Sequence, residues 1–129
     1  MGNQEIERIA INYVLTLERA EGRKPTDVST KGYGYDVHSP PRKIEVKAFG
    51  RSARGAPVPL EERQLAEFEQ NPELYYVYVV DNVGQSDGAM SVRVLHGQVL
   101  RGLIERAKPS RTYWSTLRVA EYDAAERLQ

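Results

Sequence analysis

The sequence predicts a mixed α/β (α+β) fold, a mixed central sheet flanked by helices. Three observations carry this. Apolar residues recur at three- and four-residue spacing over Ile6–Leu17, then alternate with charged residues over 43–49, then merge into the apolar run 74–80. A period near 3.6 marks an amphipathic helix, and a period of two marks a strand with one polar face. A continuous β-branched and aromatic run marks a strand covered on both faces.

In chain order, Ile6, Ile9, Ala10, Tyr13, Val14 and Leu17 form one helical stripe, with Asn3 as the expected N-cap and Gly22 as the stop. Residues 26–34 read as a turn-rich connector. Residues 35–38 form a short strand, closed by Ser39-Pro40-Pro41, and 43–49 form the next, so a hairpin is expected. The Gly/Arg/Pro loop 50–59 leaves room for a short third strand near Ala56–Val58. Leu60–Gln70 is an acidic amphipathic helix stopped by Asn71-Pro72. After the central strand 74–80 come a turn at 81–88, a strand at Met90–Leu95 and a helix at Gln98–Ala107 stopped by Pro109. Thr112–Val119 reads as a last strand, with Trp114 as a packing residue, and residues 121–129 as a frayed tail. The order is αβββαβ followed by strand, helix and strand, in one domain spanning 1–129.

Composition narrows the function classes. The 129 residues include 18 basic and 18 acidic side chains, two His and no Cys. Disulfide frameworks, thiolate metal sites and Cys nucleophiles are excluded, and a reducing compartment fits. The longest apolar run is far short of the ~20 residues that span a membrane. Neither a basic nor an apolar leader region is visible, so a cytoplasmic chain is expected. Zero net charge conceals an asymmetry. Residues 22–60 carry eight basic and three acidic side chains, and residues 61–81 carry one basic and six acidic. A basic surface facing phosphate fits that pattern, as do two solvated faces that neutralise each other.

The candidate chemistry sits on the hairpin. Glu45 and Lys47 are two apart on one strand and leave the same face. Across a turn at Pro40-Pro41, Asp36 falls opposite Glu45. Two carboxylates and one ammonium group on one spot suit a hard divalent cation, Mg²⁺ or Mn²⁺, and phosphodiester hydrolysis. A cross-strand ion pair on an exposed sheet face is the plainer alternative. Lys43 on the same face and Arg51 and Arg54 in the following loop are candidate nucleic-acid contacts. His38 reads as a surface histidine.

Asp36 followed by Ile44-Glu45-Val46-Lys47, after one helix and before another helix and strand, resembles the PD-(D/E)XK nuclease superfamily. More closely, the chain resembles the NO VEIN C-terminal domain family. The resemblance rests on Glu7-Arg8-Ile9-Ala10 with Tyr13-Val14, Glu18 with Gly22-Arg23, Asp27-Val28-Ser29, Gly34–Ser39, Ile44–Lys47 and Tyr75–Val80. It implies a restriction-endonuclease-like core, with Asp36 and Glu45 as metal ligands, the Val46 carbonyl as a third ligand, and Lys47 as the catalytic lysine. It implies a carboxylate from the first helix, Glu7, with Glu18 as runner-up. Gln64 stands where relatives often carry Glu, in a position to orient a nucleotide or water. Tyr35 replaces the proline of the superfamily's name. The expected partner is DNA, and the resemblance allows a helicase or restriction-system partner and a homodimer. Two functions remain open on sequence: a Mg²⁺-dependent DNA nuclease, and a catalytically inactive domain of the same fold that binds nucleic acid or protein.

Overall fold

A computed structural model describes residues 1–86 and 88–129. Residue 87, within the turn expected at 81–88, lies outside the described residues. The elements are α1 (Asn3–Ala20), β1 (Thr26–Asp27), β2 (Val37–Ser39), β3 (Arg42–Ala48), α2 (Glu62–Gln70), β4 (Tyr75–Asp81), β5 (Ser91–Leu95), α3 (Gly97–Arg106) and α4 (Val119–Ala124). The five strands form one mixed sheet in sequential order. Every pairing is antiparallel except β3–β4, which is parallel because α2 carries the chain back across the sheet between them.

Strand alternation builds two cores. Ile44 and Val46 of β3 and Tyr78 and Val80 of β4 face α1, where they meet Ala10, Ile11 and Val14. Tyr75, Val77 and Val79 face the other way, against Phe68 of α2 and Leu100 of α3. The apolar run of β4 therefore feeds both cores, while β3 spends only its even positions on one. Its odd positions, Lys43, Glu45 and Lys47, are left on the α2 side.

Several elements differ from the sequence expectation. The third strand of the αβββαβ unit is not at Ala56–Val58. Pro57 lies within that stretch and Pro59 directly after it, and both lack a backbone donor; the added strand is β1, paired with β2 through Thr26↔His38 and Asp27↔Val37. The last strand expected at Thr112–Val119 does not form. Residues 107–118 have no regular structure, and every residue from 105 to 129 is exposed. β-propensity makes a strand only where a neighbouring strand accepts it, and none of the five strands pairs with these residues. Trp114 is accordingly not a packing residue but 91 % exposed. Gly2 rather than Asn3 occupies the N-cap of α1, and no side chain caps it. The stop at Gly22 takes the expected form, a glycine at φ +87° just past the helix. No helix of the described residues is long and apolar enough to cross a membrane.

Candidate active site

Hairpin register sets the site. Val37 pairs with Ile44, so one step back Asp36 stands opposite Glu45. The Asp36 backbone is fixed on both sides: its N–H donates to Ile44 O at 2.8 Å, and its carbonyl accepts from Val28 N at 2.8 Å. Upstream the chain turns away through Gly34, at φ +85°. Val46 N–H, which a longer β2 would satisfy, instead donates to Asp36 Oδ2 at 2.9 Å. The aspartate thus replaces a missing ladder acceptor and is held against β3.

Glu45 is buried and its Oε2 is doubly held. Gln64 Nε2 donates to it at 2.9 Å, and Lys47 Nζ lies 3.2 Å away. Lys47 Nζ also donates to Gln64 Oε1 at 2.9 Å. Gln64 is itself fixed by the start of α2, where its Oε1 accepts Glu61 N–H at 3.0 Å. A capping box that starts a helix thereby also braces the acid and the lysine.

The electrostatics follow from burial. Desolvation, then the neighbouring Asp36 charge, push Glu45 up to about 8, against the opposing pull of Lys47. Burial also raises Asp36, opposed by the Val46 N–H and by Glu45 acting as a hydrogen-bond donor. The two acids stand opposite each other across the hairpin, and each perturbs the other's ionisation. Among the described residues, no protein N–H donor meets Asp36 Oδ1 or Glu45 Oε1. Two like charges held together, each with one oxygen that no N–H donor meets, are relieved either by a shared proton or by a cation.

These groups line an open cavity of about 550 Å³, together with Glu7 and Arg63. Glu7 is exposed at the rim and acts on Asp36 through its charge, which adds to the upward push. Arg63 donates to Gly32 O at 3.1 Å and supplies the cavity's exposed guanidinium. Beneath, Tyr75 donates to Gly34 O at 2.8 Å and ties the 32–36 loop to β4.

The remaining candidates lie elsewhere. Lys43 shares the face of Glu45, but its ammonium group is paired with Glu67 at 2.7 Å. Arg51 and Arg54 are exposed and do not line this cavity; Arg54 lines another, of about 370 Å³, with Asp81 and Arg93. Gln64 is buried and turned inward to Glu45 and Lys47. Glu18 is far from Glu7, about 16 Å along the helix axis. It is buried there with both oxygens on Arg23 and a hydrogen bond from Tyr78 at 2.9 Å. His38 is exposed. Sequence reading missed Arg63, Tyr75 and Gly34. Arg63 was hidden among the acids of α2, and Tyr75 within an almost wholly apolar run whose tyrosines read as sheet core.

As a metal site, the donor set is two carboxylates. Among the described residues, no group of three or more His, Cys, Asp or Glu could hold a metal ion. Two hard oxygen donors do not suit zinc, which takes three or four protein ligands. They do suit Mg²⁺, which keeps several of its waters and is bound by one or two carboxylates.

The family model described as Protein NO VEIN, C-terminal, matches residues 6–94, from α1 into β5. The chain belongs to this family. The NO VEIN C-terminal match covers Glu7, Asp36, Glu45, Lys47 and Gln64 and stops before α3 and residues 107–129. No curated protein matches the chain, and no solved structure does.

Proposed function

We propose that the chain is a Mg²⁺-dependent nuclease of the PD-(D/E)XK type that hydrolyses DNA phosphodiester bonds. The observation that carries this reading is the pairing of Asp36 and Glu45 across the hairpin, with Lys47 bonded beside them on an open cavity. The topology supports a restriction-endonuclease-like core: one helix, a three-strand antiparallel meander, a helical crossover and a parallel fourth strand.

When bound, Mg²⁺ supplies a bound water of lowered pKa and a positive charge at the phosphoryl oxygen. Asp36 and Glu45 offer the ion one spare oxygen each, and charging Glu45 costs less beside a cation than beside Asp36 alone. Lys47 presents a fixed positive charge next to the acids, where it orients water and stabilises charge developing on phosphate. Gln64 holds both Lys47 and Glu45, so its part is positioning. Glu7 adds negative charge at the rim that favours cation entry, and Arg63 offers a contact for the DNA backbone.

Purified protein is expected to nick plasmid or cut oligonucleotides with Mg²⁺ or Mn²⁺ and to stop in EDTA. Asp36→Ala and Lys47→Ala should each reduce cleavage at least about 100-fold, with circular dichroism melts confirming the fold. If both variants cleave as wild type does, the assignment is wrong. That no group of three or more His, Cys, Asp or Glu among the described residues could hold a metal ion favours a second reading, a nuclease-fold domain that binds nucleic acid or protein without cutting. That reading predicts binding that is indifferent to Mg²⁺ and no cleavage on any substrate.

A further inference from the structure

The chain from the last residue of α3 into the start of α4 is basic and free of acidic residues. Residues 106–120 contain Arg106, Lys108, Arg111 and Arg118 and no acidic residue, although the chain as a whole is neutral. Between the basic residues stand Tyr113 and Trp114, 86 % and 91 % exposed. Aromatic rings of that size normally bury most of their surface, so two adjacent exposed rings are a cost that needs a partner. The segment lies outside the NO VEIN C-terminal match and uses none of the residues of the candidate active site.

We propose that residues 106–118 are an arm that binds single-stranded nucleic acid, with Tyr113 and Trp114 stacking on bases and the four basic residues following the phosphates. Three observations select this partner. Four cations without an acid favour a polyanion. Exposed flat rings favour unstacked bases, because every base offers a π-face. The backbone of 107–118 is neither helix nor strand, and an extended chain can run beside an extended strand. An anionic membrane is less well matched, since surface-bound segments present one apolar face of an amphipathic helix. The helix that follows, α4, has six residues and carries Glu121 and Asp123. Twelve residues of irregular chain reach up to about 40 Å, enough to hold a strand near the body of the domain and raise its local concentration.

Trp114 is the sole tryptophan, so its emission reports on this segment alone. The test titrates the full chain with a dT oligonucleotide of about 20 nucleotides, in EDTA so that no strand is cut. The same titration is run on Lys47→Ala, so the result stands whether or not the chain is a nuclease. Trp114 fluorescence should be quenched on binding, and log K should fall against log salt with a slope of about −2 to −3, as expected for four cations on a single strand. By anisotropy of a labelled oligonucleotide, Trp114→Ala should weaken binding about 5- to 150-fold, the span of base–aromatic stacking. Arg111→Ala with Arg118→Ala should flatten the salt slope by about 1.4. Four outcomes overturn the proposal. In the first, Trp114 emission is unmoved by the oligonucleotide. In the second, Trp114→Ala binds as wild type does. In the third, the chain dimerises in sedimentation at the same concentrations and Trp114→Ala abolishes the dimer, which makes the segment an interface between copies. Anionic vesicles that quench Trp114 while the oligonucleotide does not would likewise refute it.

Discussion

Replacing Glu45 with glutamine should stabilise the metal-free protein, increasingly so as the pH rises. Burial and the Asp36 charge raise the Glu45 carboxyl from 4.5 to about 8 in the folded chain. A carboxyl raised on folding binds a proton that the unfolded chain releases. Its stability contribution is complete below about pH 4.5 and is lost as the pH climbs through 8. Relative to a neutral side chain, the cost of charging Glu45 is about 1 kcal/mol near pH 5, about 3 near pH 7 and about 5 near pH 9. Glutamine matches the protonated acid in shape. Its carbonyl oxygen can keep the bonds from Gln64 and Lys47, and its amide can donate to Asp36 in place of the acid proton. Allowing half for imperfect replacement, Glu45→Gln should gain about 2 kcal/mol at pH 9 and almost nothing at pH 5. The assay is urea denaturation at pH 5, 7 and 9 in EDTA, repeated with Mg²⁺. Mg²⁺ should stabilise wild type and leave the variant unmoved, because the cation and the lost charge relieve the same repulsion. A variant no more stable than wild type at pH 9 would refute the strained-pair argument.

Two further predictions concern the scaffold. Arg23→Ala strips the bidentate partner from Glu18, a carboxylate 2 % exposed, and should cost about 3–5 kcal/mol near pH 7. Burial alone would raise Glu18, but the bonds from Arg23 and Tyr78 hold it below its ordinary value. The wild-type contribution is therefore lost as the pH falls through that lowered value, and the deficit of the variant should shrink in melts at low pH; a deficit under about 1 kcal/mol near pH 7 would show the pair to be dispensable. Gly34→Ala should cost at least about 2 kcal/mol in urea. Gly34 sits at φ +85°, and an added Cβ would lie 2.6 Å from Arg63 O. A change within about 0.5 kcal/mol would mean that the loop shifts freely.

Much of the site was legible because its geometry is local. A pleat of period two puts Glu45 and Lys47 on one face, and a short turn puts Asp36 opposite. Both relations are consequences of strand geometry within a dozen residues. Gln64 was legible only as a departure from the family pattern. Its role depends on α2 crossing back over β3, and no local signal states how far a helix N-terminus lies from a strand. Arg51 and Arg54 show the converse error. Two arginines in a glycine-rich loop after the lysine strand are near it in sequence, but the loop leads them away from the cavity. The basic residue that reaches the cavity, Arg63, sits on a helix whose overall charge is acidic.

Alternating and helical periods alone determined the order of most elements, the hairpin, the covering of β4 on both faces and the facing of the two acids, because each rests on contacts between near neighbours in the chain. Only the tertiary structure decided which strands exist at the margins. β1 forms because β2 lies within reach of its two residues. The stretch at 112–119, with better strand composition, stays exposed because no sheet edge receives it. Tertiary packing alone also decided that Glu45 is a strained acid rather than a solvated one. Its raised pKa is produced by desolvation beneath α2 and by a carboxylate from another segment, and burial belongs to the assembled fold, not to any one stretch of chain.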